Sequence, residues 1–113
     1  MYPPDELEEL KAYCSKLSIL KEGEVDFLYL KELRLPAGCQ PEKCDALLCP
    51  VPREGYPSRL YLVEQVASPF TRNWNGNARV GERNWFAFSW TVRLENPTLA
   101  QTLVAHLTGF TKA

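Results

Sequence analysis

Short apolar runs, broken at close intervals by glycine and proline, constrain the fold of this sequence more than any other feature. Four such runs follow one another, at residues 18–20, 25–33, 44–49 and 60–66. Each run suits a β-strand, and the links between the runs are too short for crossover helices. Because consecutive strands with short links pair in sequence, the pattern predicts an antiparallel four-stranded meander.

A helical pattern precedes these strands. Asp5 follows two prolines and is expected to cap a helix, with Glu8 as its capping-box partner. The apolar face of this helix is predicted to comprise Leu7, Leu10, Cys14 and Leu17. At helical spacing these side chains would all face the sheet.

The last third of the chain is predicted to hold a long irregular loop at 68–84 and then a second helix. Between them, residues 85–92 alternate in polarity and form either a further strand or an extended packed segment, with Trp85 or Trp90 in the core. Asn96 is expected to cap the second helix, with Pro97 in its first turn. Its apolar stripe is predicted to comprise Leu99, Leu103, His106 or Leu107, and Phe110. Helices over one face of a meander give an α+β fold.

Size and charge exclude several classes of protein. The 113 residues suit one domain, and thirteen basic against fourteen acidic side chains leave a net charge of −1. This balance disfavours nucleic acid as a partner, because neutralising phosphates requires surplus lysine and arginine. The longest uncharged apolar run, 46–51, is far shorter than a membrane span, and the first residues lack a secretion signal. We therefore expect a cytoplasmic domain that does not bind membranes.

The four cysteines do not match a metal site or a disulfide framework. Their spacing fits no common zinc pattern, and a cytoplasmic protein keeps its thiols reduced, so no metal and no other cofactor is predicted. Cys14, Cys44 and Cys49 are interpreted as small buried apolar residues. Cys39 lies in a glycine- and proline-rich turn at 36–41, and is expected to be the most exposed thiol.

Several motifs occur in a recognisable order. They are LPAG at 35–38, CDALL at 44–48, GYP at 55–57 and RNWFAFS at 83–89. In this order they resemble the bacterial ubiquitin-conjugating-enzyme-like family, over roughly residues 5–110. The resemblance implies one domain over 1–113 with the ubiquitin-conjugating fold: an N-terminal helix, an antiparallel four-stranded meander, a long irregular loop and a C-terminal helix. Antiviral defence is a setting implied only by analogy with the gene clusters of that family.

The long loop of that family carries its chemistry. A His-Pro-Asn triplet precedes an Asn-Gly turn, and a cysteine that follows holds a ubiquitin-like protein as a thioester. This sequence keeps Asn75-Gly76 as the expected turn, but it has no such triplet, and the place of the cysteine falls near Arg79. The resemblance therefore implies a pseudoenzyme that binds a ubiquitin-like protein or its activating enzyme.

Two alternatives stay open at this point. One is an active conjugating enzyme with a displaced nucleophile, for which Cys39 is the weak candidate. Ser89 could in principle carry an oxyester, but it is interpreted as a buried structural serine. The other alternative is a small α+β interaction scaffold unrelated to that family.

A candidate partner surface lies in and beside the predicted loop. Its residues are Trp74, Asn75, Asn77, Arg79 and Arg83. Residues 58–113 hold six basic and three acidic side chains, so this half of the chain is locally basic. Tryptophan and arginine are enriched where proteins bind other proteins. The sequence does not predict the oligomeric state.

Overall fold

A six-stranded antiparallel sheet forms the centre of the protein in a computed structural model, which describes residues 2–112. The elements in chain order are α1 Pro4–Leu10, β1 Lys16–Glu22, β2 Val25–Arg34, β3 Lys43–Cys49, β4 Arg59–Leu62, β5 Trp74–Val80, β6 Arg83–Phe88 and α2 Leu99–Thr108. The strand order is β1-β2-β3-β4-β6-β5, so β1 to β4 form a meander that β6 extends. The α+β class is confirmed, but the predicted number of four strands is wrong.

The polar stretch predicted as a loop at 68–84 contains β5 and the first residues of β6. The rest of β6 lies within 85–92, where a further strand was one of the two predicted alternatives. Gly81 and Glu82 join β5 to β6 with φ angles of 59° and 64°, as a two-residue hairpin turn requires. Along β5, Gly76 and Val80 are buried and Ala78 is half-buried, whereas the residues between them are exposed. Because the inward residues are so small, their alternation was a weak signal beside the many polar side chains.

The first helix is shorter than predicted. It ends at Leu10, its N-cap is Pro3 without a side-chain hydrogen bond, and Asp5 lies inside its first turn. Leu17 belongs to β1, where it pairs with Leu30 of β2. The β1–β2 ladder therefore takes the backbone groups that a longer helix would have used, although Leu10 and Cys14 are buried as expected.

The second helix begins two residues later than predicted. Thr98 is the N-cap, and it forms a capping box in which its hydroxyl accepts from the backbone N–H of Gln101 at 3.1 Å. Asn96 has a φ of 47° and precedes the cap. The predicted apolar stripe is confirmed, since its members from Leu99 to Phe110 are buried. Neither α1 nor α2 has the length and apolar character to cross a membrane.

Both faces of the sheet are buried, in two separate clusters. The larger cluster lies between the sheet and the two helices. The second cluster, on the other face, comprises Phe27, Leu47, Cys49, Tyr61, Val80, Trp85 and Ala87. The β5–β6 turn meets the β1–β2 hairpin, since the N–H of Gly81 donates to the Glu22 carboxylate at 3.4 Å.

Candidate functional site

Four of the five predicted partner-binding residues lie together on β5, an edge strand of the sheet. Asn75, Asn77 and Arg79 are exposed. Trp74 is half-buried, and its ring lies edge-on to Phe88 with the centroids 5.3 Å apart. Part of the Trp74 side chain therefore remains accessible to solvent.

Arg83 does not belong to the same surface, because its side chain reaches across the sheet to β2 and β3. It donates hydrogen bonds to the Tyr29 hydroxyl at 2.7 Å and the Asp45 carboxylate at 3.2 Å. The Tyr29 hydroxyl and the backbone N–H of Glu32 also donate to Asp45, at 2.8 and 3.0 Å. Burial acts to raise the pKa of Asp45, but these hydrogen bonds and the Arg83 charge hold it below its ordinary value. Arg83 thus ties three strands together.

Arg59 is the centre of a polar cluster that the sequence reasoning missed. Its side chain is only 3% exposed. One terminal nitrogen donates to the Asn75 side-chain oxygen at 2.7 Å and to the Phe88 carbonyl at 3.2 Å, and the other lies 3.4 Å from the Glu54 carboxylate. The guanidinium carbon lies 4.0 Å from the centroid of the Tyr56 ring. A buried arginine needs such partners, and β5, β6 and the segment between β3 and β4 supply them together.

The Asn75-Gly76 pair serves this cluster and does not form the predicted turn. The register between β5 and β6 shifts between Trp74 and Gly76, so Asn75 is the additional residue of a β-bulge. A Cβ atom at Gly76 would lie 3.0 Å from three guanidinium atoms of Arg59. Glycine therefore leaves the guanidinium room that any other residue would narrow.

The hydroxyl of Tyr56 lies at the solvent side of the cluster. It accepts a hydrogen bond from the Asn75 amide at 2.9 Å and lies 3.1 Å from the Ser89 hydroxyl. These two hydrogen bonds, helped by the charge of Arg59, lower the pKa of Tyr56 below its ordinary value. Ser89 is exposed, so its interpretation as a buried serine is wrong. It follows directly after β6, where the strand leaves the sheet.

All four thiols are buried, including Cys39, whose predicted exposure is wrong. Cys39 is only 2% exposed, and two backbone hydrogen bonds between Gln40 and Ala67, of 2.8 and 2.9 Å, hold its loop to the segment that follows β4. Burial raises the pKa of each thiol, and that of Cys44 to about 12. At neutral pH the thiols are therefore protonated and weakly nucleophilic.

His106 packs inside the protein, as predicted for a residue on the apolar stripe. It is 3% exposed, and its Nε2 atom lies 2.8 Å from the Ser58 hydroxyl. Burial, with a smaller contribution from the charge of Arg59, lowers its pKa from 6.5 to about 4. The imidazole is therefore neutral in the folded protein at pH 7.

We expect the free energy of unfolding of the protein to decrease as the pH is lowered from 6.5 to 4. Over this range the unfolded chain binds a proton at His106 and the folded chain does not, so acid favours unfolding. The full difference between the two pKa values corresponds to about 3 kcal/mol. Urea unfolding at several pH values measures how steeply the free energy of unfolding depends on pH. The His106→Gln variant keeps a partner for Ser58, and the slope of this pH dependence should be smaller in it. An equal slope in both proteins would contradict the prediction.

Comparison of the chain with protein-family models, with curated proteins and with solved structures finds no match. Within residues 2–112, no three His, Cys, Asp or Glu side chains are grouped so that they could hold a metal ion. The exposed groups on and beside β5 are amides, a guanidinium, a hydroxyl and aromatic rings. Arginine and aromatic residues of this kind are enriched where proteins bind other proteins.

Proposed function

We propose that this chain is a non-catalytic, ubiquitin-conjugating-like domain of a bacterial conjugation pathway that binds a ubiquitin-like protein or its activating enzyme. The observation that carries the proposal is the burial of all four thiols, each with a raised pKa. A thioester carrier must reach its substrate and ionise readily. Burial therefore also argues against Cys39 as a displaced nucleophile.

The order of the elements supports the fold in this proposal. A helix precedes the β1–β4 meander and another helix ends the chain, as the resemblance implies. Pro50 directly follows β3, and Tyr56-Pro57 stands just before β4. The β5–β6 hairpin takes the place of the long loop, and this is the main departure from the family pattern.

The surface of β5 supports binding as the function. Where the family would place its carrier cysteine, β5 presents the exposed side chains of Asn77 and Arg79. These groups cannot hold an acyl group, but they can donate hydrogen bonds to a partner. Four free thiols agree with a reducing compartment, and a cytoplasmic location is part of the proposal.

Incubation with the cognate activating enzyme, ubiquitin-like protein and ATP tests the proposal. We expect calorimetry to detect a complex with one of the two proteins, and a gel without reductant to show no covalent adduct of the domain. A known conjugating enzyme in a parallel reaction shows that activation works. A thiol-sensitive adduct, or no binding to either protein, would overturn the proposal.

The exposure of Ser89 favours a second candidate function, that of an oxyester carrier. Its hydroxyl is exposed and lies 3.1 Å from the Tyr56 hydroxyl, whose pKa is lowered. In the same assay this function would give an adduct that resists thiols, is cleaved by hydroxylamine and is lost in Ser89→Ala. The Cys39→Ala variant is the matched control, since its adduct should be unchanged.

A further inference from the structure

One side of the β5 backbone is unpaired within the described residues, because β5 is the last strand of the sheet. The hairpin closes on the pair Val80 and Arg83, with two residues between them. In such a hairpin the two residues that flank the turn form a hydrogen-bonded pair, and hydrogen-bonded and non-hydrogen-bonded residue pairs then alternate along the strands. The backbone groups of Ala78 and Gly76 therefore point towards β6, and those of Asn77 and Arg79 point away from it.

The side chains beside these free backbone groups stand on one face of the hairpin. Arg79 pairs with Asn84 and Asn77 with Phe86, and beyond the bulge Trp74 pairs with Phe88. The guanidinium of Arg79 donates to the Asn84 side chain at 3.1 Å, and Phe86 is half-buried in the shallow groove beside them. From the turn outwards, the edge thus offers a guanidinium, an amide and an aromatic ring.

We propose that β5 binds an extended acidic segment of a partner protein, which adds to the sheet as a seventh strand. This rests on the proposed function, because the segment is assigned to the ubiquitin-like protein or its activating enzyme. Free backbone groups of an edge strand provide affinity for any extended chain, and the neighbouring side chains provide the specificity. Charge complementarity selects an acidic segment, because the guanidinium of Arg79 is exposed at this edge and its hydrogen-bond partner, Asn84, is neutral.

The spacing along β5 also predicts the pattern of the segment. Arg79 and Trp74 are five residues apart, but the bulge at Asn75 adds one residue, so they are separated by four pleat positions. A paired strand would place an acidic side chain next to Arg79 and an apolar one next to Trp74. The segment should therefore carry an acidic and an apolar residue four positions apart.

A synthetic nine-residue peptide tests this arrangement with the full chain. The probe alternates threonine and valine but has glutamate at its third position and phenylalanine at its seventh. We expect it to slow hydrogen exchange at the amides of Asn77 and Arg79, and a peptide with lysine in place of glutamate to bind about tenfold more weakly. Equal affinity for the two peptides, or protection at other amides alone, would overturn the proposal.

Variants of the two edge strands provide matched controls. Asn77→Pro removes a donor that points away from β6, so the hairpin keeps its own hydrogen bonds while peptide binding should be lost. Lys21→Pro makes the same change at an outward position of β1 and should leave binding intact. If Asn77→Pro does not fold, the Arg79→Glu variant tests the proposal instead. It should bind the lysine peptide more tightly than the glutamate peptide.

The same variants separate this proposal from the proposed function. The intact ubiquitin-like protein and activating enzyme are tested with Asn77→Pro, or with Arg79→Glu if Asn77→Pro does not fold. If the variant binds either protein as the parent chain does, the β5 proposal is overturned and the proposed function stands. If the peptide binds as expected but neither intact protein does, the proposed function is overturned. Protection of Asn77 that rises with protein concentration, without peptide, would identify a second copy as the occupant and overturn the proposal.

Discussion

The free energy of unfolding of the Arg59→Met variant should be about 3 kcal/mol lower than that of the parent protein. Methionine keeps most of the volume, but it leaves the Asn75 side-chain oxygen and the Phe88 carbonyl without their charged donor. Unpaired polar groups inside a protein cost the free energy of their lost hydration. Urea unfolding followed by tryptophan fluorescence measures the change.

Arg79→Met is the matched control, since it makes the same replacement on the exposed side of β5. It should change the free energy of unfolding by less than about 0.5 kcal/mol. If the two variants were equally stable, the Arg59 cluster would not be a determinant of the fold. Gly76→Ala provides an independent check, because its methyl group would press on the Arg59 guanidinium and should also destabilise the protein.

The Trp85→Ala variant should lose about 4 kcal/mol of stability, which is a large part of what a domain of this size has. The ring is fully buried in the second cluster. Its Nε1–H donates to the Val80 carbonyl at 3.0 Å, and Tyr29 packs edge-on with the centroids 5.7 Å apart. Removal of the side chain leaves a cavity among the strands that contribute to the second cluster.

Trp74→Ala is the comparison for this prediction. Trp74 lies on the same hairpin and has an aromatic neighbour, but it is only half-buried, so its loss should cost less than half as much. Thermal unfolding measured by circular dichroism gives both values. Equal costs would show that the second cluster contributes no more to stability than the edge of the hairpin does.

Local patterns in the sequence predicted the elements whose signals are strong. The strands β2 and β3 were found because each is a short apolar run bounded by glycine or proline. The apolar face of α2 was found because its apolar residues repeat with the period of a helix. The end of α1 was wrong because pairing of Leu17 with Leu30, a tertiary contact, overrides the helical spacing. The strand β5 was missed because its inward residues are small and its outward residues are polar.

The candidate site was predictable only in part, for a related reason. Trp74, Asn77 and Arg79 were identified by residue type, and they do share one edge strand. Arg83 was grouped with them because it is near in sequence, but alternation along the hairpin sends it to Asp45 on the other face. Arg59 was missed because its hydrogen-bond partners lie five to twenty-nine residues away along the chain.

The four buried thiols have a practical consequence for measuring how the protein moves. Each thiol can be alkylated only when the structure around it opens, so its labelling rate in the native protein reports an opening equilibrium. Cys49 lies in the second cluster, whereas Cys14, Cys39 and Cys44 lie in the cluster beneath the helices. Time-resolved labelling followed by mass spectrometry therefore measures, without any mutation, which layer of the protein opens first.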